Sequence, residues 1–243
     1  MDLLIYFDNE MCDTVIFSPY TIESAEITKF YNKIQSLKNI SKIFIETYKI
    51  CGQGREKNEY VIFNKTNNNF STIRRKQYFI KNKQTSSQFN TEISPFLSQF
   101  RNERIIDDCA LLFCGEINIL TFNNKTSEVD DRHNFLNQFN DDTRVIINQV
   151  HDEMGYKHKI LPKHKILSLN NRLFISLWNK GAYKIDFTEN DKKYWSIYHN
   201  GKEKIVEKII PFPDRSHMKD IECCIINFHQ PSIKSRKATS ILS

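Results

Sequence analysis

The segment 110–116, Ala-Leu-Leu-Phe-Cys-Gly-Glu, is an apolar run that ends at a cysteine, a glycine and a carboxylate. A short continuous apolar run is typical of a β-strand that is buried on both faces of a sheet. Such a strand would deliver the thiol of Cys114 to the rim of the sheet, with backbone N–H groups free beside it. That geometry suits a nucleophile. The same pattern is also typical of a small core cysteine at a strand end, so this segment alone leaves both interpretations open.

Further short apolar runs alternate along the chain with segments of helical periodicity. This alternation predicts a layered α/β domain with a mixed sheet or two packed sheets. The predicted strands are 3–7, 14–17, 42–48, 59–64, 71–75, 109–114, 144–148, 173–178, 182–187, 194–199, 205–210 and 223–228. The predicted helices are 24–40, 93–100, 128–140 and 157–169.

Composition is that of an ordinary globular protein, with 40% apolar and 26% charged residues in 243 positions. The absence of an 18-residue apolar run predicts that no segment spans a membrane. The N-terminus has no basic region before its short apolar run, which argues against a secretory signal. The six cysteines show no CxxC spacing and no disulfide framework, and this favours a cytoplasmic protein with free thiols.

No domain boundary stands out, so we expect one domain over residues 1–229 and a polar, basic tail over residues 230–243. The net charge of +6 is modest, and the basic residues are mostly dispersed. A nucleic-acid surface is therefore allowed but not demanded. His151, His158 and His164 have spacings that match neither a helical ligand pair nor a zinc finger, and no metal or other cofactor is expected.

Several segments occur in an order that resembles one enzyme family. Residues 13–20 end in Phe-Ser-Pro-Tyr, residues 58–63 are Asn-Glu-Tyr-Val-Ile-Phe, and residues 73–79 are Ile-Arg-Arg-Lys-Gln-Tyr-Phe. Residues 111–116 are Leu-Leu-Phe-Cys-Gly-Glu, and residues 174–181 are Phe-Ile-Ser-Leu-Trp-Asn-Lys-Gly. In order and spacing they resemble the nitrilase, or carbon–nitrogen hydrolase, superfamily. Its motifs are a Phe-Pro-Glu strand, an Asn-containing hairpin, Arg-Lys-x-His/Tyr-Leu/Phe, a cysteine strand and an Asn-Arg-x-Gly strand end.

This resemblance covers roughly residues 13–185. It implies a four-layer α-β-β-α sandwich built from two packed mixed sheets, here with a shortened N-terminal region. Family enzymes use a cysteine nucleophile, a lysine that stabilises the tetrahedral intermediate and a glutamate base. Carried over by motif, the nucleophile is Cys114 and the lysine is Lys76. A thiol attacks a carbonyl as thiolate, and the oxyanion that forms needs a cation or N–H donors already in place.

The family's glutamate has no counterpart, because its position falls on Pro19 or Tyr20. Strand order makes Glu46, in the strand after the first helix, our first choice for a replacement base. Glu23, in the loop after Tyr20, is the other candidate. Glu116 is expected to assist, because the resemblance places an acid after the cysteine.

Four residues in or beside these segments are candidate substrate contacts: Tyr20, His151, Trp178 and Asn179. For Tyr20 and Trp178, packing is the alternative interpretation. The resemblance implies a hydrolase of the amidase or acyltransferase type, which would form a thioester on Cys114 from a small-molecule, non-peptide amide or acyl substrate. It also implies a homo-oligomer. The alternative is a catalytically degenerate subunit that binds or assembles within a larger complex.

Overall fold

The computed structural model describes residues 2–51, 54–66, 69–75, 77–79, 86–150, 157–178, 195–207, 209 and 223–228. The chain divides into two compact units, residues 1–205 and 206–243. In the second unit the described residues hold one isolated antiparallel bridge, between Ile209 and Cys223. That bridge is all that the described residues show of the strands predicted at 205–210 and 223–228. The predicted domain boundaries stay a prediction, and the strand predicted at 182–187 lies outside the described residues.

The first unit contains two larger sheets, a small hairpin and four labelled helices among its described residues. The strands, in chain order, are β1 (Thr14–Ile16), β2 (Ile22–Glu23), β3 (Lys42–Cys51), β4 (Gly54–Thr66), β5 (Asn69–Arg75), β6 (Ile105–Ile106), β7 (Cys109–Phe113), β8 (Thr121–Asn123), β9 (Glu128–Asp130), β10 (Val145–Val150), β11 (Leu173–Trp178), β12 (Trp195–His199) and β13 (Lys202–Glu203). The helices are α1 (Asp2–Asn9), α2 (Ile27–Ile34), α3 (Ser86–Gln99) and α4 (Lys157–Leu167).

The two larger sheets are both mixed. The first has the order β1-β3-β4-β5, with β2 also paired to β3; β1 and β2 run parallel to β3, whereas β3, β4 and β5 are antiparallel. The second has the order β13-β12-β11-β10-β7-β6, and its centre, β7-β10-β11, is parallel. The mixed α/β class predicted from the alternation of apolar runs is confirmed.

Apolar side chains place the two sheets face to face. One core cluster joins Phe44 and Ile62 of the first sheet to Leu111 and Ile147 of the second. On the outer face of the first sheet, the rings of Phe30 and Tyr31 in α2 lie 5.4 and 6.1 Å from that of Phe63.

A second core cluster covers the outer face of the second sheet, where Phe96 of α3 and Leu167 of α4 pack with Leu112 and Phe174. The order of layers is therefore helix, sheet, sheet, helix. Equivalence to the family's sandwich in detail stays a prediction.

The prediction of a strand over 3–7 was wrong, because these residues form α1. Leu4 and Phe7, three residues apart, are both buried. The carboxylate of Asp8 then accepts the backbone N–H groups of Lys38, Asn39 and Ile40 at 2.6–3.0 Å. A short apolar run has no periodicity that separates helix from strand, and here these tertiary contacts decide.

The helix predicted over 128–140 was also wrong. The first three residues form β9, and a 3-10 turn covers Phe135–Gln138. The Asp131 carboxylate accepts the N–H groups of Phe135 and Leu136, each at 2.8 Å, and so caps this turn. Another predicted helix, 24–40, is shorter than expected, because α2 follows a 3-10 turn and ends at Ile34.

Buried polar side chains form a row on the helix-covered face of the second sheet. Asn148, Ser176 and Ser196 are adjacent in register across β10, β11 and β12. Ser176 donates to Asn148 Oδ1 at 3.3 Å, and Ser196 Oγ lies 3.2 Å from Nδ1 of His164 in α4. His164 is fully buried against Phe174. Burial, assisted by the charge of the neighbouring lysine, lowers the pKa of His164 from 6.5 to about 3.

Replacing His164 by phenylalanine is expected to flatten the acid side of the stability profile. The unfolded chain binds a proton at this histidine below about pH 6.5, whereas the folded chain does so only near pH 3. Stability therefore falls as the pH is lowered through that window, by roughly 1.4 kcal/mol per unit. We expect the free energy of unfolding, measured with urea, to fall between pH 6.5 and pH 5 by about 2 kcal/mol less in His164→Phe than in the wild type. An equal loss in the two proteins would contradict the assignment.

Candidate functional site

The chain turns sharply immediately after β7, at Cys114 and Gly115. Gly115 has φ +86°, in the left-handed region, and a Cβ there would lie 3.2 Å from the carbonyl oxygen of Phe79. Glycine is thus required by both conformation and space. A 3-10 turn follows over Glu116–Ile119. Cys114, the residue immediately after β7, is partly exposed, although β7 itself is fully buried.

Glu116 is completely buried and both its oxygens are engaged. Its Oε2 accepts the N–H of Phe113 at 2.8 Å, and its Oε1 accepts the N–H of Tyr78 at 2.8 Å and Nη2 of Arg104 at 3.0 Å. The Arg104 guanidinium also lies 4.0 Å from the centroid of the Phe113 ring. Burial lowers the pKa of Arg104, and the charge of Glu116 opposes that shift. The carboxylate therefore ties the end of β7 to the segment 77–79.

The segment 77–79 lies directly against the cysteine. The side-chain amide of Gln77 donates to the carbonyl oxygen of Cys114. The N–H of Phe79 donates to Glu92 of α3 at 2.7 Å, and the ring of Tyr78 packs edge-on against Phe96. Two contacts with α3 thus fix the residues that follow Lys76 in the sequence. Lys76 itself lies outside the described residues.

Glu46 and Tyr60 occupy directly opposite positions on β3 and β4, and so lie side by side on the sheet face that meets the second sheet. Glu46 is 0% exposed and Tyr60 is 2% exposed. The Tyr60 ring stacks on that of Phe113, with 3.5 Å between centroids and 2° between planes. Burial raises the pKa of Tyr60 well above its ordinary value, and the charges of Glu46, Cys114 and Glu116 add to the rise. All three predicted residues therefore surround this tyrosine.

An irregularity in β3 coincides with Glu46. The register between β3 and β4 shifts between Glu46 and Tyr48, and such bulges re-aim side chains at the rims of sheets. The Glu46 carbonyl accepts the N–H of Thr21 at 3.3 Å, which brings the loop containing Tyr20 beside this point. Tyr20 has φ 58° and is partly buried. Glu23, the other candidate base, lies in β2 and pairs with Tyr48 of β3.

Of the remaining predicted residues, one lies farther across the second sheet and two lie outside the described residues. Trp178 ends β11, two strands away from β7 in the second sheet, and is 8% exposed. Two strand spacings correspond to roughly 10 Å. His151 and Asn179 lie outside the described residues. Which residues contact a substrate therefore stays a prediction.

Sequence reasoning missed Tyr60 and Arg104. Tyr60 lies within a strand that alternates only weakly, and its pairing with Glu46 depends on hairpin register. Arg104 lies in the polar stretch Arg-Asn-Glu-Arg, where a buried arginine gives no local signal. Only the ion pair that Arg104 forms with Glu116 in the folded chain identifies this residue.

The described residues contain no group of three or more His, Cys, Asp or Glu side chains arranged to hold a metal ion. None of their helices combines the length and the apolar character needed to cross a bilayer.

Comparisons with known proteins do not assign this chain to a family. No family model matches the sequence, and no curated protein matches it. Among solved structures, the chain is similar to a CN-hydrolase superfamily protein of Xanthomonas campestris whose active site carries an arsenic adduct. The identity is 8%, the match covers 84% of this chain and 78% of that chain, and the TM-score is 0.41. A likeness at this level assigns neither a family nor an activity.

Replacing Glu116 by glutamine is expected to destabilise the fold. The change keeps the shape of the side chain but leaves the Arg104 guanidinium buried without its counter-charge, which costs roughly 3–5 kcal/mol. Chemical denaturation would measure the loss. The double variant Glu116→Gln with Arg104→Met, which removes both charges, should recover a large part of it. A single variant as stable as the wild type would show that the ion pair does not hold the end of β7.

Proposed function

We propose that this chain is a cysteine-dependent hydrolase or acyltransferase of the nitrilase type, acting on a non-peptide carbon–nitrogen bond. Cys114 is the nucleophile and Glu46 is the general base. The observation that carries the proposal is the position of Tyr60. This one side chain neighbours Glu46 across the β3–β4 hairpin, stacks on Phe113 and lies within electrostatic reach of Cys114.

The proposed reaction assigns one step to each of these residues. Glu46 accepts the proton of the Cys114 thiol as the sulfur bonds to the carbonyl carbon and the carbonyl electrons move onto oxygen. Collapse of this intermediate breaks the carbon–nitrogen bond, and the amine leaves with the proton that Glu46 holds. A thioester on Cys114 remains, which water or another acceptor then attacks. A positioned carboxylate is a common general base for such a proton transfer.

Lys76 is proposed to stabilise the oxyanion, on the strength of the motif in residues 73–79. The role that we propose for Glu116 differs from the expected one, which was to assist in catalysis. Because its oxygens already accept two backbone N–H groups and the Arg104 guanidinium, we place it in holding the strand end rather than in moving a proton.

A catalytically degenerate binding or assembly subunit is the second candidate. Glu46 and Tyr60 are shielded from solvent, which disfavours direct access of a substrate to them. The position of the family's glutamate is also occupied by Pro19 or Tyr20. In this role the chain would serve within a homo-oligomer or beside a larger protein partner, and Cys114 would be a packing residue.

Acylation by an activated ester, mapped by mass spectrometry, separates the two candidates. The wild type should form an adduct on Cys114, and Cys114→Ala should form none there. Glu46→Gln, which keeps the shape and removes the base, should slow acylation by on the order of a hundredfold.

Cys109→Ala is the matched control for this experiment. This cysteine lies in the same strand but is 3% exposed, and burial raises the pKa of its thiol well above the ordinary value. Its loss should leave acylation unchanged. Should Cys114→Ala react as fast and at the same total stoichiometry as the wild type, the nucleophile assignment is wrong and the scaffold role is favoured.

A further inference from the structure

Tyr60 carries a hydroxyl whose burial has a cost that packing alone does not explain. Among the described residues, this hydroxyl oxygen has no hydrogen-bond partner of normal geometry, although the backbone of Cys114 approaches it. A buried polar group without a full partner lowers the stability of the fold. Phenylalanine would make the same ring stack on Phe113 without that cost. We therefore expect the hydroxyl to have a function other than packing.

The Tyr60 hydroxyl lies in the same part of the structure as the proposed nucleophile, Cys114. The ring is held parallel to Phe113, the residue before Cys114, at 3.5 Å. The phenol is thus fixed by stacking, by the β4 backbone and by cross-strand contact with Glu46. A donor fixed in advance and shielded from water is the kind of group that stabilises developing negative charge most effectively.

We propose that the Tyr60 hydroxyl donates a hydrogen bond to the acyl oxygen that becomes negatively charged when Cys114 attacks a carbonyl. This inference rests on the proposed function and adds a donor to it that the family resemblance does not provide. No proton leaves the phenol in this step; the thiol proton goes to Glu46, and the oxyanion is stabilised where it forms. An acyl oxygen on Cys114 lies near that residue's own backbone N–H, a usual partner in oxyanion binding, and this backbone is what the hydroxyl approaches.

The electrostatic surroundings keep the phenol in the state that this role needs. Burial raises the pKa of Tyr60, and the neighbouring acidic groups raise it further. The hydroxyl therefore remains protonated at neutral pH and available as a donor.

The test compares two reagents on the same thiol. An activated acyl ester, p-nitrophenyl acetate, passes through an oxyanion when it reacts, whereas iodoacetamide alkylates the thiolate by displacement and forms none. Tyr60→Phe removes only the hydroxyl. We expect its rate constant for acylation of Cys114 to fall about 100- to 1,000-fold, as for the loss of one oxyanion donor, while its alkylation rate stays within about threefold of the wild-type rate.

Tyr198→Phe is the matched control. Tyr198 is also 2% exposed, but it packs on the helix-covered face of the second sheet. This variant should acylate and alkylate like the wild type. Thermal unfolding of both variants verifies that each is folded at the assay temperature.

Each other outcome has a distinct meaning. Equal slowing of acylation and alkylation in Tyr60→Phe would place the hydroxyl in ionising the thiol and overturn the oxyanion role. Acylation at the wild-type rate would also overturn it, while the proposed function would stand. A wild-type protein that iodoacetamide alkylates at Cys114 but the ester does not acylate would defeat the proposed function, and this inference with it.

Discussion

The buried ion pair between Arg104 and Glu116 holds the arrangement on which the candidate site depends. Both side chains are almost fully removed from water, at 1% and 0% exposure, and the charged atoms are 3.0 Å apart. Burying two charges is costly unless their geometry is good and other hydrogen bonds complete it. Glu116 meets this condition by accepting the N–H groups of Phe113 and Tyr78. One carboxylate thereby links the end of the cysteine strand, the segment after β5 and Arg104, which ends the π-helical turn Phe100–Arg104 that follows α3.

The second constraint is the stack between Tyr60 and Phe113, which joins the two sheets where β7 ends. This stack holds the β3–β4 hairpin, which contains Glu46, against the strand that precedes Cys114. Because the glutamate and the cysteine belong to different sheets, their relative position depends on how the sheets pack. A change that loosened this interface would separate the two groups without altering either.

The proposed site differs from the family pattern in which strands supply its acid–base groups. The resemblance places the glutamate at the end of the segment 13–20, at a position that is Pro19 or Tyr20 in this chain. Glu46 lies on the adjacent parallel strand β3, and its carbonyl is bonded to Thr21, next to Tyr20. A neighbouring strand can thus present a carboxylate at the same end of the sheet. Tyr60 on the following strand adds a phenol to the same cluster.

The sequence by itself determined the α/β class and most of the buried strands, because continuous apolar runs such as 110–113 have few alternatives once their length is fixed. It also indicated Cys114 and Glu46 as chemically interesting, one at a strand end and one by strand order. It failed at residues 3–7 and 128–140, where helix and strand patterns are ambiguous. There the tertiary contacts of Asp8 and the capping of a 3-10 turn by Asp131 decide. It gave no sign of Tyr60 or Arg104. The roles of both arise from residues distant in sequence, and only the packing of one sheet on the other and the burial of a charge pair brought those residues together.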